Sequence, residues 1–158
     1  MKHGFWKSTG LAWLAILIMA LLALPMVGCG GAGASTIPIN LTNASDVGSL
    51  HIELVYDPAI LEVTAVKAGK LAQNAVVDSN ISTPGRAIIG VVNSNGIAGT
   101  GAVASVSFKA KAKTGTSALT LEKVEAYSAE KLQDIITKVS AGQYNAQSKK
   151  VDAPYISF

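Results

Sequence analysis

One histidine, ten carboxylates and one cysteine are the groups in residues 29–158 with which this chain could do chemistry. Hydrolysis of a glycosidic bond needs two carboxyl groups held on either side of it. Asp46, Glu53, Asp57, Glu62, Asp78, Glu122, Glu125, Glu130, Asp134 and Asp152 are instead strung singly along the chain, and no pair stands out. There is no HExxH, no GxSxG and no Cys/His cluster, so neither zinc-assisted nor nucleophilic hydrolysis has a motif to rest on. Closely spaced Asp/Asn ligands with a glycine, the signature of a calcium loop, are also missing. The segment GIAGTG (96–101) has glycines in the wrong order for a phosphate cradle and no helical pattern after it, so it reads as a hairpin. The expectation is a protein that is not an enzyme and uses no metal or cofactor.

Cys29 is different, because its surroundings are specific. Residues 11–28, LAWLAILIMALLALPMVG, carry no charge, and Lys2 and Lys7 precede them. That is the basic and apolar order of a secretory signal peptide over 1–28. Gly28 before the cysteine and Val27 before that resemble a bacterial lipobox, with Met26 where leucine is usual. In such signals the cysteine thiol takes a diacylglyceryl group and becomes the new N-terminus. The acyl chains then hold the protein to a membrane at about 0.8 kcal/mol per buried methylene. Two other outcomes fit the same stretch. Ala32-Gly33-Ala34 is a site for ordinary cleavage before Ser35, and the 18-residue run could stay as an uncleaved anchor. All three put the rest of the chain outside the cytoplasm, on the outer face of a bacterial membrane or secreted. Residues 29–35 then form the lipidated cysteine and a flexible Gly/Ala tether. Six residues of this kind reach about 14 Å root-mean-square.

The elements that would position any site follow from periodicity. Ile37, Ile39 and Leu41 alternate with Pro38 and Asn40. Leu50, Ile52, Leu54 and Tyr56 alternate with His51, Glu53 and Val55. Ala104, Val106 and Phe108 alternate with Ser105, Ser107 and Lys109, and Leu119 and Leu121 with Thr120 and Glu122. A period of two marks half-buried strands. AIIGVV (87–92) and AVV (75–77) are more continuously apolar. Pro84-Gly85, Asn95-Gly96, Gly99-Thr100-Gly101 and Gly115 read as turns between strands spaced about ten residues apart, the pattern of an all-β sandwich or barrel. SAEKLQD (128–134) has helical composition but only the length of a turn. Net charge is +3, two of the lysines belong to the signal, and the remaining basic residues are scattered, which argues against nucleic-acid binding.

LVYDPAILEV (54–63) breaks one strand and starts the next. Asp57 can accept from backbone N–H groups just beyond it, and Pro58 has a preset φ and no N–H to lose. One tight helical turn at a sheet edge results, with Ile60 and Leu61 returning to the core and LEVTAV beginning a new strand.

GSLHIELVYDPAILEVTAVKAG (48–69), GRAIIGVVNSNGIAGTGAVASVSFKA (85–110) and GTSALTLEKVEAYSAEKLQDI (115–135), in this order and spacing, resemble a cohesin domain over residues 36–145. The resemblance implies a nine-stranded jelly-roll β-sandwich. It implies binding of a dockerin-bearing protein, often a secreted polysaccharide-degrading enzyme, through one sheet face. Ser49, His51 and Glu53 would project from that face. Val92 and Asp134 align with other positions of it. In the family the position of His51 is commonly an acidic residue that anchors a dockerin hydroxyl, so the histidine is a departure.

The same fold serves in carbohydrate-binding modules, which makes polysaccharide a second class of partner, and surface or adhesion proteins use it as well. Sugar-binding faces stack on aromatics, often Trp. Trp6 and Trp13 both lie in the signal, and Tyr56 and Phe108 follow the core alternation. For residues 146–158, AQSKKVDAPYISF, an unstructured tail and an added terminal strand are both open. Mass spectrometry of the processed protein is expected to find an acylated Cys29 at the N-terminus; a free terminus at Ser35 would rule the lipid anchor out.

Overall fold

The computed structural model describes residues 35–158 apart from Leu132 and Thr137. The signal segment, Cys29 and the tether up to residue 34 lie outside the described residues. Nine strands run in chain order: β1 (Ser35–Val55), β2 (Leu61–Ala68), β3 (Val76–Asn80), β4 (Arg86–Ala110), β5 (Thr116–Ser128), β6 (Lys138–Ser140), β7 (Gly142–Asn145), β8 (Lys150–Asp152) and β9 (Tyr155–Ser157). One 3-10 turn, Lys70–Ala72, is the only helical element among the described residues. The all-β architecture expected from the alternation is observed, as the nine-stranded jelly-roll sandwich that the resemblance implies.

Two long strands organise it. β1 and β4 pair antiparallel from Ser35↔Phe108 to Val55↔Arg86, the full length of β1. The ladder slips between Ile39 and Ser49, where residues are unpaired and the register shifts repeatedly. Such bulges bend a strand and sharpen its twist. Here they fold the ribbon back on itself. Only five residues separate Val55 from Leu61, yet Leu61 pairs with Ala110, at the Ser35 end of the ribbon.

The first half of β1 lies between β4 and β9, with β2 and β6 outside them. The second half lies between β4 and β5, with β3 outside β4. The start of β5 turns outward to pair with β7, and β7 with β8.

The bend corrects one expectation. Asn95-Gly96 and Gly99-Thr100-Gly101 are not hairpin turns; they sit inside β4 at the waist of the ribbon. Gly96 has φ 73°, and a Cβ there would come 2.5 Å from Asp46 Oδ1. The opposite strand bends with it: Asn43 and Asp46 have φ 56° and 58°. The backbone N–H of Asn43 donates to Thr100 Oγ1 at 3.0 Å, so the bend keeps its donors paired. Pro84-Gly85 does turn the chain, with φ 86° at Gly85.

The YDP element is built as expected. Ala59 N–H donates to Asp57 Oδ1 at 2.8 Å, and the N–H groups of Ile60 and Leu61 donate to Asp57 O at 3.1 and 3.0 Å. The backbone N–H of Asp57 donates to Ser117 Oγ at 2.9 Å, and that buried hydroxyl in turn donates a hydrogen bond to Ala118 O at 3.0 Å. The turn is thereby fixed to the start of β5.

The core fills both halves of the folded ribbon. Ile37, Ile39, Leu41, Val106 and Phe108 come from one half, and Leu50, Ile52, Leu54, Ile89 and Val91 from the other, each at most 2% exposed. Tyr56 and Phe108 are core, as the alternation implied. The sequence had not singled out Tyr144 on β7, which is 1% exposed and meets Phe108 edge-on, with ring centroids 4.9 Å apart at 74°.

The C-terminal residues take the second of their two open readings. Tyr155–Ser157 pair parallel with Asn40–Thr42, and Ile156 is fully buried. Removing a buried isoleucine costs about 2–5 kcal/mol, so Ile156→Ala should lower unfolding free energy by that amount in urea titrations. A loss below about 0.5 kcal/mol, the scale of a surface substitution, would show that the C-terminal strand is dispensable.

Candidate functional site

The second half of the ribbon has one face turned away from the core. Its composition follows from the registers, because residues directly paired in a ladder share a face. Val76, Val92, Ser49 and Tyr127 lie in one row across β3, β4, β1 and β5. The next row is Asp78, Gly90, His51 and Glu125. The third is Asn80, Ile88, Glu53 and Lys123. Asp134 bridges to Tyr127 and so extends the first row by one position.

The five residues expected on a binding face are therefore brought together. Ser49, His51 and Glu53 stand in line on β1, as alternation requires. Val92 points outward and is 56% exposed. Asp134 is exposed, and its Oδ1 accepts from Ile136 N–H at 3.1 Å, so it shapes the chain beyond β5 as well as edging the face.

Sequence reading missed the two residues that complete the first row. Val76 is 72% exposed and Tyr127 is 40% exposed. With Val92 they make three of the four large hydrophobic side chains exposed among the described residues, and all three are in that row. The signal was available. AVV (75–77) is a valine pair on what proves an edge strand, and Tyr127 falls on the outward phase of β5.

Each row has its own chemistry. The first is apolar apart from the Ser49 hydroxyl and the Asp134 carboxylate at its end. In the second, His51 sits between Asp78 and Glu125, with a gap where Gly90 has no side chain. A Cβ at Gly90 would meet nothing within 4 Å. The resulting depression, lined by Ser49, His51, Val92, Glu125 and Tyr127 among others, holds about 220 Å³.

The third row is tied down by charge. Arg86 donates through Nη1 to Glu53 Oε2 and through Nη2 to Glu122 Oε2. His51 Nε2 lies 3.5 Å from the other oxygen of Glu53. Partial burial works to raise the Glu53 pKa. The hydrogen bonds from His51 and Arg86, with the arginine charge, outweigh it and hold the carboxyl below its ordinary range. The hydrogen bond to Glu122 leads the same effect on Arg86, whose pKa is raised against a desolvation penalty. Glu53 is thus a fixed anion whose acceptor capacity is largely taken up by its neighbours, while His51, with 37% of its side chain exposed, remains open to a partner.

The arrangement is a broad, shallow face with an apolar strip and a polar flank. No group of three or more His, Cys, Asp or Glu side chains among the described residues is placed to hold a metal ion. Interfaces between proteins have this composition: exposed aliphatic and aromatic anchors beside hydrogen-bonding groups.

Comparison with known proteins agrees with this geometry. The family model of the Cohesin domain matches residues 33–146. Cellulose-binding protein A of Clostridium cellulovorans is 34% identical over 89 residues, which is 52% of this chain and 5% of that protein. The match thus spans about a twentieth of the relative's length. Among solved structures, a non-cellulosomal cohesin from the archaeon Archaeoglobus fulgidus aligns with a TM-score of 0.55 at 26% identity, over 79% of this chain and 82% of that one. A type I cohesin–dockerin complex from Clostridium thermocellum aligns with a TM-score of 0.55 at 15% identity, over 79% of this chain and 97% of the other, a likeness of fold. The sequence blocks, the folded ribbon and the family match concur: the chain belongs to the cohesin domain family.

Proposed function

We propose that this chain is a binding module which recruits a dockerin-bearing protein through the face formed by β3, β4, β1 and β5. The observation that carries the reading is the row Val76, Val92, Ser49 and Tyr127. It gathers on one face three of the four large apolar side chains exposed among the described residues. An exposed apolar strip of this kind marks an interaction site. Family membership supports the partner class, since relatives are found in complexes with dockerins.

Ser49 and His51 supply hydrogen bonds beside the strip. Glu53 acts by orienting His51 and Arg86 more than by direct contact. Asp134 edges the strip. A histidine both donates and accepts through one ring, so its partner can be a hydroxyl or a carboxylate. That suits a dockerin differing at this point from those met by an acidic residue.

The setting we infer is extracellular. Lipidation at Cys29 would hold the module, and the partner it binds, at a membrane surface. A secreted enzyme acting on polysaccharide fits that role, and the name of the clostridial relative supports the link.

Titration calorimetry against a panel of dockerins tests the reading. Tight binding to at least one is expected. Tyr127→Ala and Val92→Asp should each weaken it at least tenfold, the scale of an interface anchor, and His51→Ala should also weaken it. Binding to insoluble polysaccharide with no dockerin bound would overturn the proposal in favour of a carbohydrate-binding module.

Acid provides a separate check on Glu53. Its pKa in the fold lies below the ordinary value, so its contribution to stability is complete above the ordinary carboxylate range and is lost as pH falls through the lowered folded value. Glu53→Gln should remove that part of the acid sensitivity. An unchanged acid-unfolding profile in this variant would show that the Arg86 pairing has no stabilising role.

A further inference from the structure

A second surface, at the opposite end of the chemistry, lies where the chain enters the fold. Ser35 begins β1, and Lys109, Lys113 and Lys149 are among the residues lining the groove beside it. Three ammonium groups therefore surround the point at which the tether joins the domain, and no carboxylate lines the groove.

Lys109, Lys113 and Lys149 are exposed, and none of them stands in an ion pair among the described residues. Glu62 faces Lys109 across the β2–β4 ladder without closing an ion pair, Asp57 is engaged with Ala59 N–H, and Asp152 pairs with Lys150. Residues 1–34 contain no Asp or Glu, so the segment leading into the groove brings no neutralising charge. Lys111 adds a further cation at the same end, where Nζ donates to Pro58 O.

We propose that this end of the domain rests on the anionic headgroups of the membrane to which Cys29 attaches it, a reading that builds on the lipid anchor proposed above. The short tether keeps that end of the domain close to the bilayer. Five residues separate Cys29 from Ser35, where β1 begins, and fully extended the six steps between them span about 20 Å. The lysines flanking Ser35 are thus held near the bilayer surface, where an anionic leaflet attracts basic side chains over a distance of about a Debye length. Three lysines around one attachment point dock that end against the lipid and set the orientation of the sandwich on its anchor. Anchoring by one acylated terminus is reinforced by such a basic patch.

Residues 35–158 contain all the strands and buried core found among the described residues, so this unit can be tested without its anchor. It should co-sediment with phosphatidylcholine vesicles containing about a third phosphatidylglycerol, not with phosphatidylcholine alone, and raised salt should release it. A basic side chain near an anionic surface contributes about fivefold in affinity, so the triple variant K109Q/K113Q/K149Q should lose about a hundredfold. Lys67→Gln with Lys70→Gln, which remove two exposed lysines elsewhere, should leave binding unchanged. Equal binding to both vesicle types, or an unaltered triple variant, would overturn the proposal. Displacement by millimolar inorganic phosphate would also overturn it, by revealing a discrete small-anion site. Because the anchor is absent from this assay, an unacylated Cys29 found by mass spectrometry would remove the tether from the picture while leaving the vesicle result to judge the patch by itself.

Discussion

The antiparallel ladder between β1 and β4 is the constraint on which everything else rests. It joins the two layers of the sandwich by continuous backbone, because the same pair of strands runs through both. Other strands add to it from either side: β2 and β3 to β4, β5 and β9 to β1. The fold is therefore set once the ribbon has bent at its waist. The bend depends on residues that tolerate positive φ, namely Asn43, Asp46, Gly96 and Gly99. The tight approach of Gly96 to Asp46 shows how little room the fold leaves there. Asp46 in turn accepts from Ala129 and Glu130 N–H groups, which connects the waist to the end of β5.

Much of this was legible in the sequence, and the part that was not has a physical reason. Alternation identified the buried phase of β1, β4 and β5, since burial on one face leaves a period of two. The Asp57-Pro58 turn could be derived because its hydrogen bonds are local. The waist was misread because glycine in a strand and glycine in a hairpin look alike without the partner strand; only the ladder shows that pairing continues past 96–101. Tyr144 was missed for a similar reason. Its burial against Phe108 joins residues 36 positions apart, on a strand too short to show a period.

The candidate face shows the same division. Ser49, His51 and Glu53 belong to one strand, and one strand's phase can be read from its own sequence. The rows belong to four strands, and which residue stands beside which depends on registers fixed by the bend and the turns. Val76 and Tyr127 join Val92 only through that register. The Arg86 link between Glu53 and Glu122 likewise spans three strands. It gives the polar side of the face a fixed geometry, whereas the apolar side is left uncovered.

Gly90 brings a further consequence into view. Its backbone is extended and its missing side chain would meet no neighbour, so nothing in the fold demands glycine there. A valine at a central strand position would favour the sheet, and glycine weakens it. The chain thus forgoes stability at the middle of its outward face and keeps a hollow between Asp78 and His51. Filling that hollow would alter the relief of the surface while leaving the core untouched. The outline offered to a partner can therefore drift through this one position, with the architecture beneath it held constant.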